Sequence, residues 1–238
     1  MTLVTLLATA FPTLAIAQDL TISFGDDGSL SARTIQLFAL ITVLSLAPGI
    51  AIMVTCFPFL VTVFSILRQA IGLQQSPPNM LIVSLALFLT YFIMEPVFID
   101  AWNDGIAPLL EEQIDIETAF ARTLSPFRSF MAARVNSDTF YAMAELRSEP
   151  MTAEPQTDAP LSILIPSFLL SEITRAFQIG FLIFLPFLII DLVVAAILMS
   201  MGMMMVPPAI VSLPFKLAFF VVADGWSLIA GSLVRSYF

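Results

Sequence analysis

The 238-residue sequence has no histidine, a single cysteine, nine glycines and only nine basic residues. Without histidine there is no Ser-His triad, imidazole zinc site or histidine pH switch. Cys56 alone forms neither an internal disulfide nor a cysteine metal cluster. Nine Lys and Arg against eighteen Asp and Glu leave a net charge of −9, whereas phosphate recognition needs clustered cations, so nucleic acid is excluded as a partner. The glycines fall in neither GxGxxG nor GxxxxGK[ST] spacing, so no nucleotide cofactor is expected, and no other cofactor motif is present.

Charge is scarce overall. Only 11% of residues are charged, against about 25% in soluble domains, and 59% are apolar. Residues 34–67, 69–94 and 192–215 carry no charge at all. Each stretch exceeds the roughly 20 residues that cross a bilayer as helix. The chain reads as a membrane protein.

Residues 1–17 form a short apolar run ending Ala15-Ile16-Ala17, the small-x-small pattern of a cleaved signal peptide, although the run lacks a basic start. Residues 18–33 then read as a polar periplasmic segment. The rest divides into a first apolar helical hairpin (34–100), an acidic insert (101–158) and a second apolar hairpin (159–238). The insert holds ten acidic residues and four arginines. Its apolar residues recur at three- to five-residue intervals, which predicts one or two amphipathic helices followed by a Pro/Thr/Glu-rich stretch. A cleaved signal leaves Arg33 outside; one crossing then puts Arg68 inside and a second returns the insert to the periplasmic side.

The hairpins are not clean spans. As straight helix, 34–67 would be about 51 Å long, against a hydrocarbon core of about 30 Å. Pro48-Gly49 and Pro58 interrupt it, and Pro166, Pro186, Pro207, Pro208 and Pro214 interrupt the second half. Freed carbonyls at membrane depth survive only inside protein or along a cavity, so broken helices facing a pore or a partner subunit are expected. The fold class is all-α and membrane-type: two apolar hairpins of broken helices flank an amphipathic acidic insert in a subunit of an oligomeric pore.

Five charges interrupt the last apolar block: Glu172, Arg175, Asp191, Lys216 and Asp224. Glu172 and Arg175 are spaced to pair on one helix face. Asp191 is a candidate proton relay or ion ligand, with pairing to Arg175 or Lys216 as the structural alternative. Five methionines lie within seven residues: Met199, Met201, Met203, Met204 and Met205. Core filling and a thioether copper site compete with a third reading, a flexible apolar collar closing a pore. Gly202 and Pro207-Pro208 make this segment a loop, which favours the collar.

Four stretches resemble one family: RQAIGLQQSPPN (68–79) running into LALFLTYFIMEPV (85–97), PSFLLSEITRAFQIGF (166–181), PFLIIDLVVAAILMSMGMMMVPP (186–208) and SLPFKLAFFVVADGW (212–226). Their order and length resemble the FliP family, core subunits of the flagellar type III secretion export gate. Within the first stretch, Arg68, Gln74, Gln75, Pro77, Pro78 and Asn79 form the loop motif; Met80 departs from the family's usual Gln. The resemblance implies a pentamer that forms, with FliQ and FliR, a conical pore in the inner membrane at the flagellar basal body. It implies FlhA and FlhB as further partners, and unfolded export substrates driven by the proton motive force and a cytoplasmic ATPase. Met203, Met204 and Met205 would be the pore gasket, and Glu172 and Arg175 would lie at subunit contacts. The related virulence injectisome subunit is the nearest alternative, disfavoured by the signal and polar segment at 1–33.

Two rivals come from other classes. A secondary transporter would show related halves, and none are visible between 34–100 and 159–238. An aspartyl protease would use Asp191 with Asp224, but Asp224 lies in Ala-Asp-Gly-Trp without supporting chemistry. No enzymatic activity is expected.

Overall fold

The computed structural model describes residues 30–73, 77–146, 159–203 and 205–238. The signal-peptide reading of 1–17, most of the polar segment, Gln74, Gln75, Met204 and the end of the insert lie outside the described residues. Every regular element among the described residues is helical. The chain divides into a unit ending at Ser45 and a larger unit from Leu46 to Phe238.

Helix α1 (Leu30–Met53) is not ended by Pro48. The break expected at Pro48-Gly49 falls instead at residues 54–56, just before α2 (Phe57–Ile71), where Pro58 occupies the first turn. There its missing N–H would have had no intrahelical partner anyway. Helix α2 ends at Gly72, and Pro78 opens α3 (Asn79–Ala101). The first hairpin is therefore α2–α3. Helix α3 does not stop at residue 100: it passes through a π-helical turn, Trp102–Ile106, into the short α4 (Ala107–Leu110).

Beyond α4, the described part of the insert forms two further helices. Asp115 caps α5 (Ile116–Arg134), accepting from the Thr118 amide at 3.3 Å and its hydroxyl at 2.6 Å. Asn136 caps α6 (Ser137–Glu145) by accepting from the Thr139 amide at 3.1 Å. These caps satisfy amide donors left free at a helix start.

Helix α7 (Leu161–Ser200) is unbroken for 40 residues despite Pro166 and Pro186, which corrects the expectation of broken helices there. Each proline removes one backbone bond, and the flanking turns continue the helix. Helices α8 (Pro208–Val222) and α9 (Gly225–Arg235) follow, bent by 60°. The second half is thus one long helix and a bent pair, not a simple hairpin.

Helix α2 is the hub. It is too short to span a bilayer, yet it is the most buried helix: Phe59, Leu60, Val63, Phe64 and Leu67 are fully enclosed. They pack with Ile82, Ala86, Ile93 and Met94 of α3, Ala176 and Phe187 of α7, Phe220 of α8, and Ile229 and Leu233 of α9. A second core joins the insert to α7 through Met131, Phe140, Ile163, Leu164 and Phe168. Among the described residues, three helical stretches, Thr34–Met53, Asn79–Leu110 and Leu161–Ser200, are long and apolar enough to cross a membrane, and the α8–α9 pair makes a fourth if counted as one span.

Candidate functional site

Three features make up the candidate site. The first is the Asp191–Lys216 pair. Asp191 lies about three-quarters of the way along α7 and Lys216 faces it from α8, with Nζ 2.6 Å from Oδ2. The Ser212 hydroxyl donates to Oδ1 at 2.6 Å. Lys216 is nearly buried and donates a second bond, 3.1 Å, to the Ala70 carbonyl in the last turn of α2. A cation is favoured there by the free carbonyls at the helix end. One lysine therefore joins α2, α7 and α8. The Asp191 side chain keeps about a third of its surface exposed (32%), so the pair is reachable from one side.

The second feature centres on Glu172, which is fully buried. The sequence reading paired it with Arg175, one turn away. Its partner is instead Arg134 at the end of α5, Nε to Oε1 3.1 Å. The Tyr237 hydroxyl donates to Oε2. The Arg134 guanidinium lies 3.7 Å over the Tyr237 ring and donates to the Ser236 carbonyl at 2.8 Å. Phe59 and Phe130 pack on the same ring. Burial and the neighbouring Glu172 charge push the Tyr237 phenol well above its ordinary range, so it stays a donor. The carboxylate is satisfied within the chain by residues 38 positions upstream and 65 positions downstream. Arg134 and Tyr237 were missed in the sequence, where nothing local links them to Glu172. Arg175 is half-buried and forms no ion pair among the described residues.

The third feature is the methionine loop. Met199 belongs to the last turn of α7. The chain then turns through Gly202 at φ +75°, a conformation that only glycine adopts without strain. Met203 is 44% exposed and Met205 98% exposed. Met201 and Met203 also line an apolar cleft of about 520 Å³ with Val194, Leu198, Val211 and Phe215 of α7 and α8.

The remaining predicted residues are placed as follows. Arg68 donates through Nη1 to the Asn79 side chain and closes the loop between α2 and α3. Pro78 sets the extended backbone before α3, and Pro77 is half-buried beside it. Asp224 is exposed, in the left-handed turn between α8 and α9 at φ 47°. It is a turn residue and not one of the buried charges. Asp191 contacts Ser212 and Lys216 within α8 and Asp224 follows its end, so the structure does not assemble an aspartyl dyad.

A model of the FliP family matches residues 40–233, most of the chain. The chain belongs to the FliP family. Its relatives include the flagellar biosynthetic protein FliP of Caulobacter vibrioides, 51% identical over 95% of this chain and 85% of that protein. The protein of the same name from Agrobacterium fabrum is 51% identical over 89% and 86%. That of Bacillus subtilis is 44% identical over 87% and 93%. The FliP match takes in the Asp191–Lys216 pair, the methionine loop, and Glu172 with Arg134; Ser236 and Tyr237 of the Glu172 network lie just beyond it.

Proposed function

We propose that this chain is a core subunit of the flagellar type III export gate. Several copies, five by the family resemblance, assemble with FliQ and FliR into a pore for unfolded flagellar proteins at the inner membrane. FlhA and FlhB are the neighbouring partners, and the insert faces the periplasm. The methionine loop closes the pore at rest.

The observation that carries the reading is the loop itself. Apolar side chains as exposed as Met205 need a partner surface or a shared axis to leave water. Glycine at one end and a proline pair at the other fix the backbone of the loop, while each methionine keeps three rotatable bonds. A ring of such loops holds water out by dewetting and yields around a passing chain. The charged pairs act behind the loop: Lys216 ties α8 to α2 and α7, holding both ends of the loop on the core. The protein works as a conduit.

Particle imaging of the detergent-extracted chain with its FliQ and FliR neighbours tests this. A ring with the 201–206 loops on its axis is the expected result. A monodisperse monomer of native helix content, or a ring with those loops on its outer surface, removes the assignment.

A further inference from the structure

We infer that the groove around Glu95 on α3 binds the ammonium head of a zwitterionic phospholipid at the periplasmic edge of the bilayer. The inference goes beyond the export-gate reading. It rests on the membrane position and insert orientation given there, and needs no ring.

Charges on the long apolar helices are scarce, and two of the acids are met within the chain: Glu172 by Arg134 and Tyr237, and Asp191 by Lys216. Glu95 is exposed and has neither an ion pair nor a hydrogen bond among the described residues. A carboxylate on such a helix calls for a counter-charge.

The groove is built from rings. Glu95 lines a cleft of about 320 Å³ with Tyr91, Phe98, Ile99, Trp102 and Asn103. Tyr91 stacks on Phe98 with ring centroids 6.4 Å apart, and Phe98 packs on Phe127 of α5 at 5.9 Å. The far end is pinned by the π-helical turn Trp102–Ile106. There Gly105 approaches α5 so closely that a Cβ would lie 2.1 Å from Oγ1 of Thr123. Turns of this type recur at functional sites. Packing against α5 therefore sets the walls before anything binds.

A carboxylate between aromatic rings is the chemistry that holds an ammonium ion. Pro96 adds to it: it offers no N–H to the Phe92 carbonyl, which leaves an oxygen acceptor within a turn of Glu95. The donors of the groove suit a phosphate: the Tyr91 hydroxyl, the Trp102 indole N–H and the Asn103 amide. Ammonium and phosphate joined in one molecule make a zwitterionic phospholipid head. An anionic phospholipid would set its net charge against Glu95, Asp100 and Asp104, with no Lys or Arg between residues 69 and 121.

The depth agrees. From Asn79 to Met94 α3 carries no charge over a rise of about 24 Å, close to the hydrocarbon core of about 30 Å. Glu95 is the first charge at the end nearer the insert, where Tyr and Trp rings gather in membrane helices. In the other direction Leu81, Phe88 and Phe92 continue the same face towards Asn79, and all three are exposed. This row rises about 21 Å, more than one leaflet's half of the core, and gives the acyl chains their place.

Native mass spectrometry tests the site on the detergent-extracted complex, stripped of lipid and titrated with phosphatidylethanolamine or phosphatidylglycerol. Wild type should bind the ethanolamine lipid about tenfold more tightly. Glu95→Gln keeps the size of an exposed side chain and should abolish the preference. Trp102→Leu should weaken it about threefold, while Glu117→Gln, at an exposed acid on α5, should leave it intact. Carbodiimide coupling of the unstripped complex tests the rival occupant, a lysine of a neighbouring subunit. If wild type shows no preference, if Glu95→Gln keeps it, or if Glu95 couples to a neighbour's lysine, the lipid site is wrong, and the export-gate reading stands as long as rings form. If no ring forms but the preference and its loss persist, the gate reading falls and the site stands.

Discussion

Both carboxylate oxygens of Asp191 are engaged within the chain, one by the Ser212 hydroxyl and one by Lys216. Asp191→Asn keeps the size of the side chain but leaves a nearly buried ammonium without its counter-charge. Removing one partner of a buried pair costs about 3–5 kcal/mol, whereas replacing both by apolar groups is often neutral. Asp191→Asn alone should therefore reduce the amount of assembled complex, and adding Lys216→Met should restore it. Export decides the remaining question. If the doubly neutral variant assembles and secretes normally, Asp191 serves structure only; if it assembles without secreting, the partly exposed carboxylate handles protons. The Glu172 network obeys the same logic. Arg134→Ala should lower the thermal midpoint of the extracted complex far more than Arg134→Met combined with Glu172→Leu. Equal midpoints would show that the network adds nothing beyond packing.

At the level of elements, the start of α5 depends on one carboxylate. Hydrogen bonds from the Thr118 hydroxyl and amide hold the Asp115 carboxyl below its ordinary value of 3.8. A lowered folded-state value means that the unfolded chain binds the proton more readily. The cap's contribution is complete above about pH 4 and is lost as the pH falls through the lowered value. Protection of the Thr118 and Ala119 amides, measured relative to the intrinsic exchange rate at each pH, should fall in acid in the wild type. In Asp115→Asn, which caps without titrating, that acid dependence should vanish. Where α2 and α7 cross, Gly180 decides the spacing: a Cβ there would sit 2.4 Å from Cδ1 of Ile66. Gly180→Val should cost about 1–3 kcal/mol through this contact, and Ile66→Ala should recover part of it. The same elements show what the sequence made legible. Helix type and the acidic insert are written in composition and spacing. Continuity of α7 through Pro166 and Pro186 is not, because whether a proline ends a helix depends on the packing that flanks it. The central place of α2 was also hidden, since its burial comes from four helices that follow it in the chain. Arg134 and Tyr237 escaped for the same reason: a buried carboxylate announces that it needs a partner, but not which one.

For the whole molecule, the reading turns on whether the methionine loops meet on an axis. In a single copy Met205 is almost wholly exposed and Met203 nearly half exposed, so neither side chain does much for the stability of its own subunit. Replacing Met203, Met204 and Met205 together by Ala should leave the thermal midpoint of the complex and its ring fraction close to wild type. Around a ring, however, each Met→Ala shortens the side chain by three heavy atoms. A constriction that excludes water by dewetting loses its barrier once it widens enough to hold a water column. Cells expressing the triple variant should therefore leak small ions and solutes and grow slowly, although the complex assembles. The Leu triple variant keeps volume and should leak less, but branching stiffens the ring and should slow secretion. Met143, on α6 in the insert, is the control, and Met143→Ala should leave the membrane tight. Conductance of the purified complex in planar bilayers separates a pore defect from secondary damage to the cell. If the triple Ala variant assembles and conducts no more than wild type, the methionines do not close the pore, and the barrier must lie elsewhere along the axis.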